Sequence, residues 1–89
     1  DIIATTSLDI NTTTLNNTNA KIMAKNIEIN SNDINNTTSD ILASTKININ
    51  NTNDIFNSGY IQAKQLDIST KSLTNQDNII ADNLNINSL

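Results

Sequence analysis

The sequence predicts an all-β protein wound as a solenoid of about five coils, each of 18 to 21 residues. Three observations lead there. Aliphatic residues recur in a strand-type alternation with a period near nineteen. Two columns of that repeat, one Ile and one Ala, are the same in every copy, and the residue types in between favour extended backbone and turns over helix.

The repeat is plainest in SGYIQAKQLDIST, residues 58–70, where Ile61, Ala63, Leu66 and Ile68 are the aliphatic side chains of a polar stretch. Strand side chains alternate between faces. Ile61 and Ala63 therefore point one way, as do Leu66 and Ile68, and the two-residue break between the pairs reads as a corner joining two short strands. In the first strand segment the leading residue is Ile2, Ile22, Ile41, Ile61 or Ile79, followed two positions later by Ala4, Ala24, Ala43, Ala63 or Ala81. The interior beside a corner has room for a methyl group, which accounts for the Ala column.

The second segment carries Leu8, Ile27, Ile47, Leu66 or Leu84 and then Ile10, Ile29, Ile49, Ile68 or Ile86. Two residues beyond, alternation turns Thr12, Ser31, Asn51, Thr70 and Ser88 inward, as a ladder of small hydroxyl and amide groups for corner backbone. A third apolar position follows in four copies, Leu15, Ile34, Ile55 and Leu73, with Asn17, Asn36, Asn57 and Asn75 two residues on. Asn tolerates the left-handed backbone of tight turns, so this column is expected at a bend. Its amides are also suited to stacking in a ladder along the axis.

The Ala column advances by 20, 19, 20 and 18 residues, and the one-residue slack falls at the corners. One repeat buries too few aliphatic side chains to offset the entropy of ordering its backbone. Stacking is required, each coil hydrogen-bonding to its neighbours at the strand spacing of roughly 4.8 Å, which makes a rod about 24 Å long.

Composition narrows the function. With 89 residues and no Cys, Pro, His or Trp, the chain is a single small segment without disulfides or thiol chemistry. No apolar run is long enough for a membrane helix, and the opening DIIATT has neither a basic n-region nor an apolar h-region, so the chain reads as starting in mid-protein. A net charge of −4, with five Lys and no Arg, argues against nucleic acid as partner. Asn makes up about a fifth of the chain, a composition that otherwise suggests disorder. The sixteen Ile held in columns oppose that.

The repeat resembles the haemagglutinin-type repeats of two-partner secretion exoproteins, the family of filamentous haemagglutinin and the contact-dependent growth inhibition exoproteins. Those repeats look like I-x-A-x-x-L-x-I-x-A-x-x-L-x-N, and Ile61, Ala63, Leu66, Ile68, Leu73 and Asn75 fit position by position. Glycine departs from the pattern: Gly59 stands alone where the family commonly carries Gly pairs, and Thr70 and its equivalents replace a second Ala. The resemblance implies a right-handed parallel β-helix. Residues 1–89 would be one segment of a much longer rod, the shaft of a secreted or surface-exposed bacterial adhesin or toxin-delivery exoprotein. It also implies flanking coils of the same chain and an outer-membrane transporter as partners.

Other chemistries fit less well. A β-helical lyase needs a basic residue beside its carboxylates, and neither Arg nor His is present. Asp9, Glu28 and Asp67 share an outward column interrupted by Asn48 and Asn85, which reads as a solvated face. No catalytic, cofactor or metal residues are assigned, and no enzymatic activity is expected. The sequons at Asn11, Asn16, Asn35, Asn36 and Asn50 match what random placement supplies at this composition, about four. Phe56 and Tyr60 flank Gly59 and read as turn packing. The residue between the leading Ile and Ala is Ile3, Met23, Leu42, Gln62 or Ile80, an outward and mostly apolar stripe. Ile3, Met23, Leu42 and Ile80 are the candidate contact surface for a flanking segment, a second rod or a cell-surface receptor. A different class of function, a solenoid fibre growing by end-to-end stacking, is the alternative to the shaft.

Overall fold

The computed structural model describes residues 1–89 and contains strands, turns and bends but no helix. Ten strands follow the chain: β1 (Ile2–Ile3), β2 (Ser7–Asn11), β3 (Thr14–Thr18), β4 (Lys21–Ser31), β5 (Asp33–Thr37), β6 (Asp40–Asn51), β7 (Asp54–Asn57), β8 (Tyr60–Thr70), β9 (Ser72–Asn75) and β10 (Asn78–Ser88). All pairing is parallel. A first sheet stacks β1 and β2 on β4, then β6, β8 and β10, and a second sheet runs β3-β5-β7-β9. The chain is thus a β-solenoid of about five turns, with five layers in the first sheet and four in the second. Its extents, 30 × 26 × 24 Å, make it a stub as wide as it is tall.

Register follows the columns except where it shifts between the two segments of a repeat, which takes in Ala43 and Ala63. Ile22 lies opposite Ile41 and Ala24 opposite Ala43. Ile61 lies opposite Ile79, Ala63 opposite Ala81 and Ile68 opposite Ile86. Leu15 stacks on Ile34, Ile34 on Ile55 and Ile55 on Leu73. In the middle coils the aliphatic columns form one buried core that includes Ile22, Ile29, Ile41, Ile49, Ile61, Ile68, Ala43 and Ala63. Leu8, Ile10, Ala24, Leu73, Ile79 and Ala81 pack against it half-buried.

Three sequence expectations are corrected. The two short strands of each repeat are one continuous strand in coils two to five. The anticipated break is a local shift of register, between Ala24 and Asn26 against β6 and between Leu42 and Lys46 against β8. A bulge takes up one extra residue while inward side chains stay inward on both sides of it. The expectation that all core-column residues are buried fails at the ends: Ile2 and Ile86 are each 47% exposed, because an end coil has a neighbour on one side only.

The left-handed backbone, finally, is not at the Asn column. Asn17, Asn36, Asn57 and Asn75 lie within β3, β5, β7 and β9, and positive φ occurs two residues later, at Asn19 (51°) and Thr38 (49°). Those two corners hold one residue more between Asn and the next Ile than the corners after Asn57 and Asn75, and the left-handed residue accommodates it. Gly59 occupies the shorter corner beneath the longer one. A Cβ there would sit 1.9 Å from the Ser39 carbonyl oxygen, so the close approach of two backbones, not a positive φ, requires glycine.

Inside and outside can be tested at adjacent residues. Ala63 is 5% exposed and Lys64 is exposed. Ala63→Leu should cost roughly 1 to 3 kcal/mol by overpacking, while Lys64→Leu should stay within about 0.5 kcal/mol. Chemical denaturation of both variants checks this; equal losses would reverse the assignment of faces.

Candidate functional site: internal amide ladders and two outward stripes

Polar order inside the solenoid is concentrated at the end of each second-sheet strand. Asn17 Nδ2 donates to Asn36 Oδ1 (2.8 Å), Asn36 Nδ2 to Asn57 Oδ1 (2.7 Å) and Asn57 Nδ2 to Asn75 Oδ1 (2.8 Å). Each donor also serves backbone. Asn36 Nδ2 reaches the Ser39 carbonyl at 3.0 Å, Asn57 Nδ2 that of Gly59 at 3.0 Å, and Asn75 Nδ2 that of Asp77 at 3.1 Å. The ladder thereby satisfies corner carbonyls that the sheets cannot, which is what a buried corner needs. Asn36 and Asn57 are fully buried.

A second inward ladder lies at the other corner. Ser31 Oγ donates to Asn51 Oδ1 (2.8 Å), and Asn51 Nδ2 donates to Thr70 Oγ1 (3.1 Å). Thr70 Oγ1 in turn donates to the Asn53 carbonyl (2.9 Å). Ser31, Asn51 and Thr70 are buried, whereas Thr12 and Ser88, the same column in the end coils, are exposed. No buried side-chain polar atom lacks a hydrogen-bond partner.

On the outside, the polar column stacks in register as Asp9, Glu28, Asn48, Asp67 and Asn85. Asn48 separates Glu28 from Asp67, while Asp9 and Glu28 are direct neighbours. Asn48 Nδ2 donates to Glu28 Oε1 (3.3 Å), and Asn85 Nδ2 to Asp67 Oδ1 (2.9 Å). Chiefly through the Asn85 bond, with help from Gln65 and the nearby Lys46 cation, Asp67 has a pKa below the ordinary 3.8. What this carboxylate adds to stability is therefore present above its unfolded-state pKa and lost as pH falls through the lowered one. Nowhere do three acidic side chains converge. Phe56 is half-buried on β7 and Tyr60 is 42% exposed on β8, so the two rings belong to different sheets.

The apolar stripe is in register across all five coils: Ile3 opposite Met23, Met23 opposite Leu42, Leu42 opposite Gln62, and Gln62 opposite Ile80. Met23, Leu42 and Gln62 line an open groove with Ile3 at one end and Lys25 and Ser44 on its rim. Ile3 is 68% exposed and Ile80 42%, while Met23 and Leu42 are half-covered by their neighbours.

One outward ladder escaped the sequence reading. Asn30 Nδ2 donates to Asn11 Oδ1 (3.0 Å) and Asn50 Nδ2 to Asn30 Oδ1 (3.1 Å), with Ser69 at the next position. Its signal was present as Asn after the second-segment Ile in four coils, and only stacking distinguishes such a column from ordinary surface asparagine.

These features define a class, a β-solenoid held internally by amide and hydroxyl ladders. Within that class the particular family is not given by similarity: the chain matches no protein-family model, no curated protein and no solved structure.

Asn36 accepts one ladder bond and donates the next, so Asn36→Ala should cost about 2 to 4 kcal/mol, since it strands buried partners on both sides. Asn35→Ala, at the exposed neighbouring residue, should change stability by under about 0.5 kcal/mol. Thermal or urea unfolding of the two variants reads the difference.

Proposed function

We propose that these residues form a structural shaft segment of a bacterial surface-exposed or secreted exoprotein, of the adhesin or toxin-delivery kind, and that they carry no catalytic role. The observation that carries this reading is the equivalence of the coils. Ile22, Ile41 and Ile61 stack in register layer after layer, as do Ile29, Ile49 and Ile68. A stack of equivalent layers suits a rod that spaces a functional tip from a cell. The repeat pattern supports the link to two-partner secretion, and with it export through an outer-membrane transporter and flanking coils as the nearest partners.

The apolar stripe is the part of this surface suited to lateral contact, with a second rod or a receptor. Isolated surface aliphatics are ordinary, but Ile3, Met23 and Leu42 in three adjacent layers, with Ile80 beyond Gln62, make the kind of patch that marks an interface.

The alternative, a fibre of stacked chains, draws on the same equivalence of the layers.

Light scattering with increasing protein concentration tests shaft against fibre. A shaft segment should stay short, and steady filament elongation would favour the fibre. The stripe is tested by changing Ile3, Met23, Leu42 and Ile80 together to Thr, which keeps strand propensity. Binding of an apolar-surface dye and lateral self-association in sedimentation should both fall; if neither changes, the stripe is solvated strand surface. Reading the gene around this segment should show further coils and a transporter gene alongside.

A further inference from the structure

Two outward faces of the coils are complementary in charge, and neither finds its complement within the chain. We infer that the stripe face is a docking surface for a second copy of this chain, which meets it with the outer face of the second sheet, the two solenoids lying side by side with their axes parallel. The inference rests on the reading of the stripe as a lateral contact and names the partner.

The stripe face is aliphatic and basic. Met23 and Leu42 are half-buried neighbours in register, with Gln62 in the next layer. Two residues beyond Met23 and Gln62, alternation sets Lys25 and Lys64 on the same outward side, with Ser44 in the layer between them. Both lysines are exposed. The chain's single ion pair joins Lys46 to Asp67 (3.7 Å), so Lys25 and Lys64 have no carboxylate of their own.

The outer face of the second sheet is the counterpart. Asn35 on β5 stacks on Phe56 on β7, and Asp33 and Asp54 lie two residues before them on the same side. The two Asp residues sit close together, since the Asp54 N–H donates to Asp33 Oδ1 at 3.3 Å, and no lysine pairs with either. Like charges in adjacent strands repel, and an incoming row of cations relieves that. The remaining outward face fits less well. Its acidic column is flanked by Asn30 and Asn50 in place of an apolar row, and Glu28 and Asp67 are already engaged by Asn48, Asn85 and Lys46.

Strand direction selects the parallel arrangement. Two solenoids of one hand with parallel axes present strands that run in opposite directions where they touch. Setting Leu42 of one copy over Phe56 of the other therefore carries the lysine column, two residues after the stripe, onto the aspartate column, two residues before Phe56. Lys25 then faces Asp33 and Met23 faces Asn35, while Lys64 lies one layer from Asp54. With antiparallel axes the lysines would meet Thr37 and Ser58 instead. The layer spacing of roughly 4.8 Å is the same in both copies, so the rows stay matched from coil to coil.

The contact is small, about 20 Å tall by that spacing, and contacts of this size are weak. The isotope-labelled 89-residue protein is diluted from on the order of 1 mM, where weak contacts are populated, and followed by NMR and sedimentation equilibrium. Concentration-dependent shifts should be confined to the stripe face around Lys25 and Leu42 and to the second-sheet face around Asp33 and Phe56, leaving Asn30 and Asn50 unmoved. Asp33→Lys with Asp54→Lys should weaken association roughly tenfold or more, because exposed pairs become like-charge contacts, and so should Lys25→Asp with Lys64→Asp. The chain carrying all four changes keeps the net charge of −4 and should associate as the unmodified chain does. Circular dichroism checks that each variant is folded. Sodium chloride at about 0.5 M screens the pairs and should weaken association of the unmodified chain with no substitution at all. A folded four-change chain that fails to associate, or shifts on one face only, would overturn the proposal. So would a monomer at every concentration whose stripe still binds an apolar-surface dye, which leaves the stripe to a different partner. If the charge changes do nothing while Thr at Ile3, Met23, Leu42 and Ile80 still abolishes self-association, the stripe stands as a contact and the aspartate face is not its partner. If both series change nothing, the reading of the stripe fails with it.

Discussion

Parallel backbone pairing between successive coils is the interaction on which everything else in this molecule depends. No coil folds back on itself, so every inter-strand hydrogen bond joins one coil to the next, about nineteen positions away in sequence. Residue Ile41 is held between Ile22 and Ile61 by that pairing alone. Identical side chains are superposed as a result, which suits aliphatics and amides and penalises like charges. The core is consequently Ile, Leu and Ala, and the buried polar groups are Asn, Ser and Thr; in the outward column Asn48 stands between Glu28 and Asp67, and Asp9 and Glu28 are stacked where water screens them.

Length variation is confined to the corners between sheets and to one bulge within β6, because the columns tolerate none. A single residue inserted in a strand would turn every later side chain to the wrong face. The extra residues go instead to the bulge at Ser44 and Thr45 and to the left-handed positions at Asn19 and Thr38. Thr38 is a β-branched residue in a conformation that favours Gly or Asn, and its N–H is held by Ser58 Oγ at 3.1 Å in the next coil. The corner below answers with Gly59, where Ser39 presses closest. A long corner on a short one thus uses a strained residue in one layer and a missing side chain in the next.

The outside follows other rules. Side chains there are also superposed, but water solvates them, so the outer columns are free to differ. One mixes carboxylates with amides, one carries Asn11, Asn30 and Asn50 in a hydrogen-bonded row, and one carries Ile3, Met23, Leu42 and Ile80. Solvation explains polar rows; it does not explain an apolar one, which is why the stripe enters the proposed role as a lateral contact surface.

The solenoid, its coil number and the inward identity of each column were legible in the chain because strand alternation has a period of two and every copy repeats the same Ile-x-Ala. Those are one-dimensional regularities, and they need no neighbour to be read. The Asn and Ser–Asn–Thr ladders were legible as columns, while their polarity was not, since which amide donates depends on where each corner carbonyl lies. The split of each repeat into two strands was misread: bulged and broken strands look alike in sequence, and only pairing with the adjacent coil distinguishes them. The left-handed residues were placed two positions early for a similar reason, because Asn is equally suited to a turn and to a buried ladder. The depth to which each column is buried belongs to tertiary structure alone. A residue is buried in a stack only when both neighbouring layers are present, and that is a property of position in the assembled solenoid, not of the repeat that carries it.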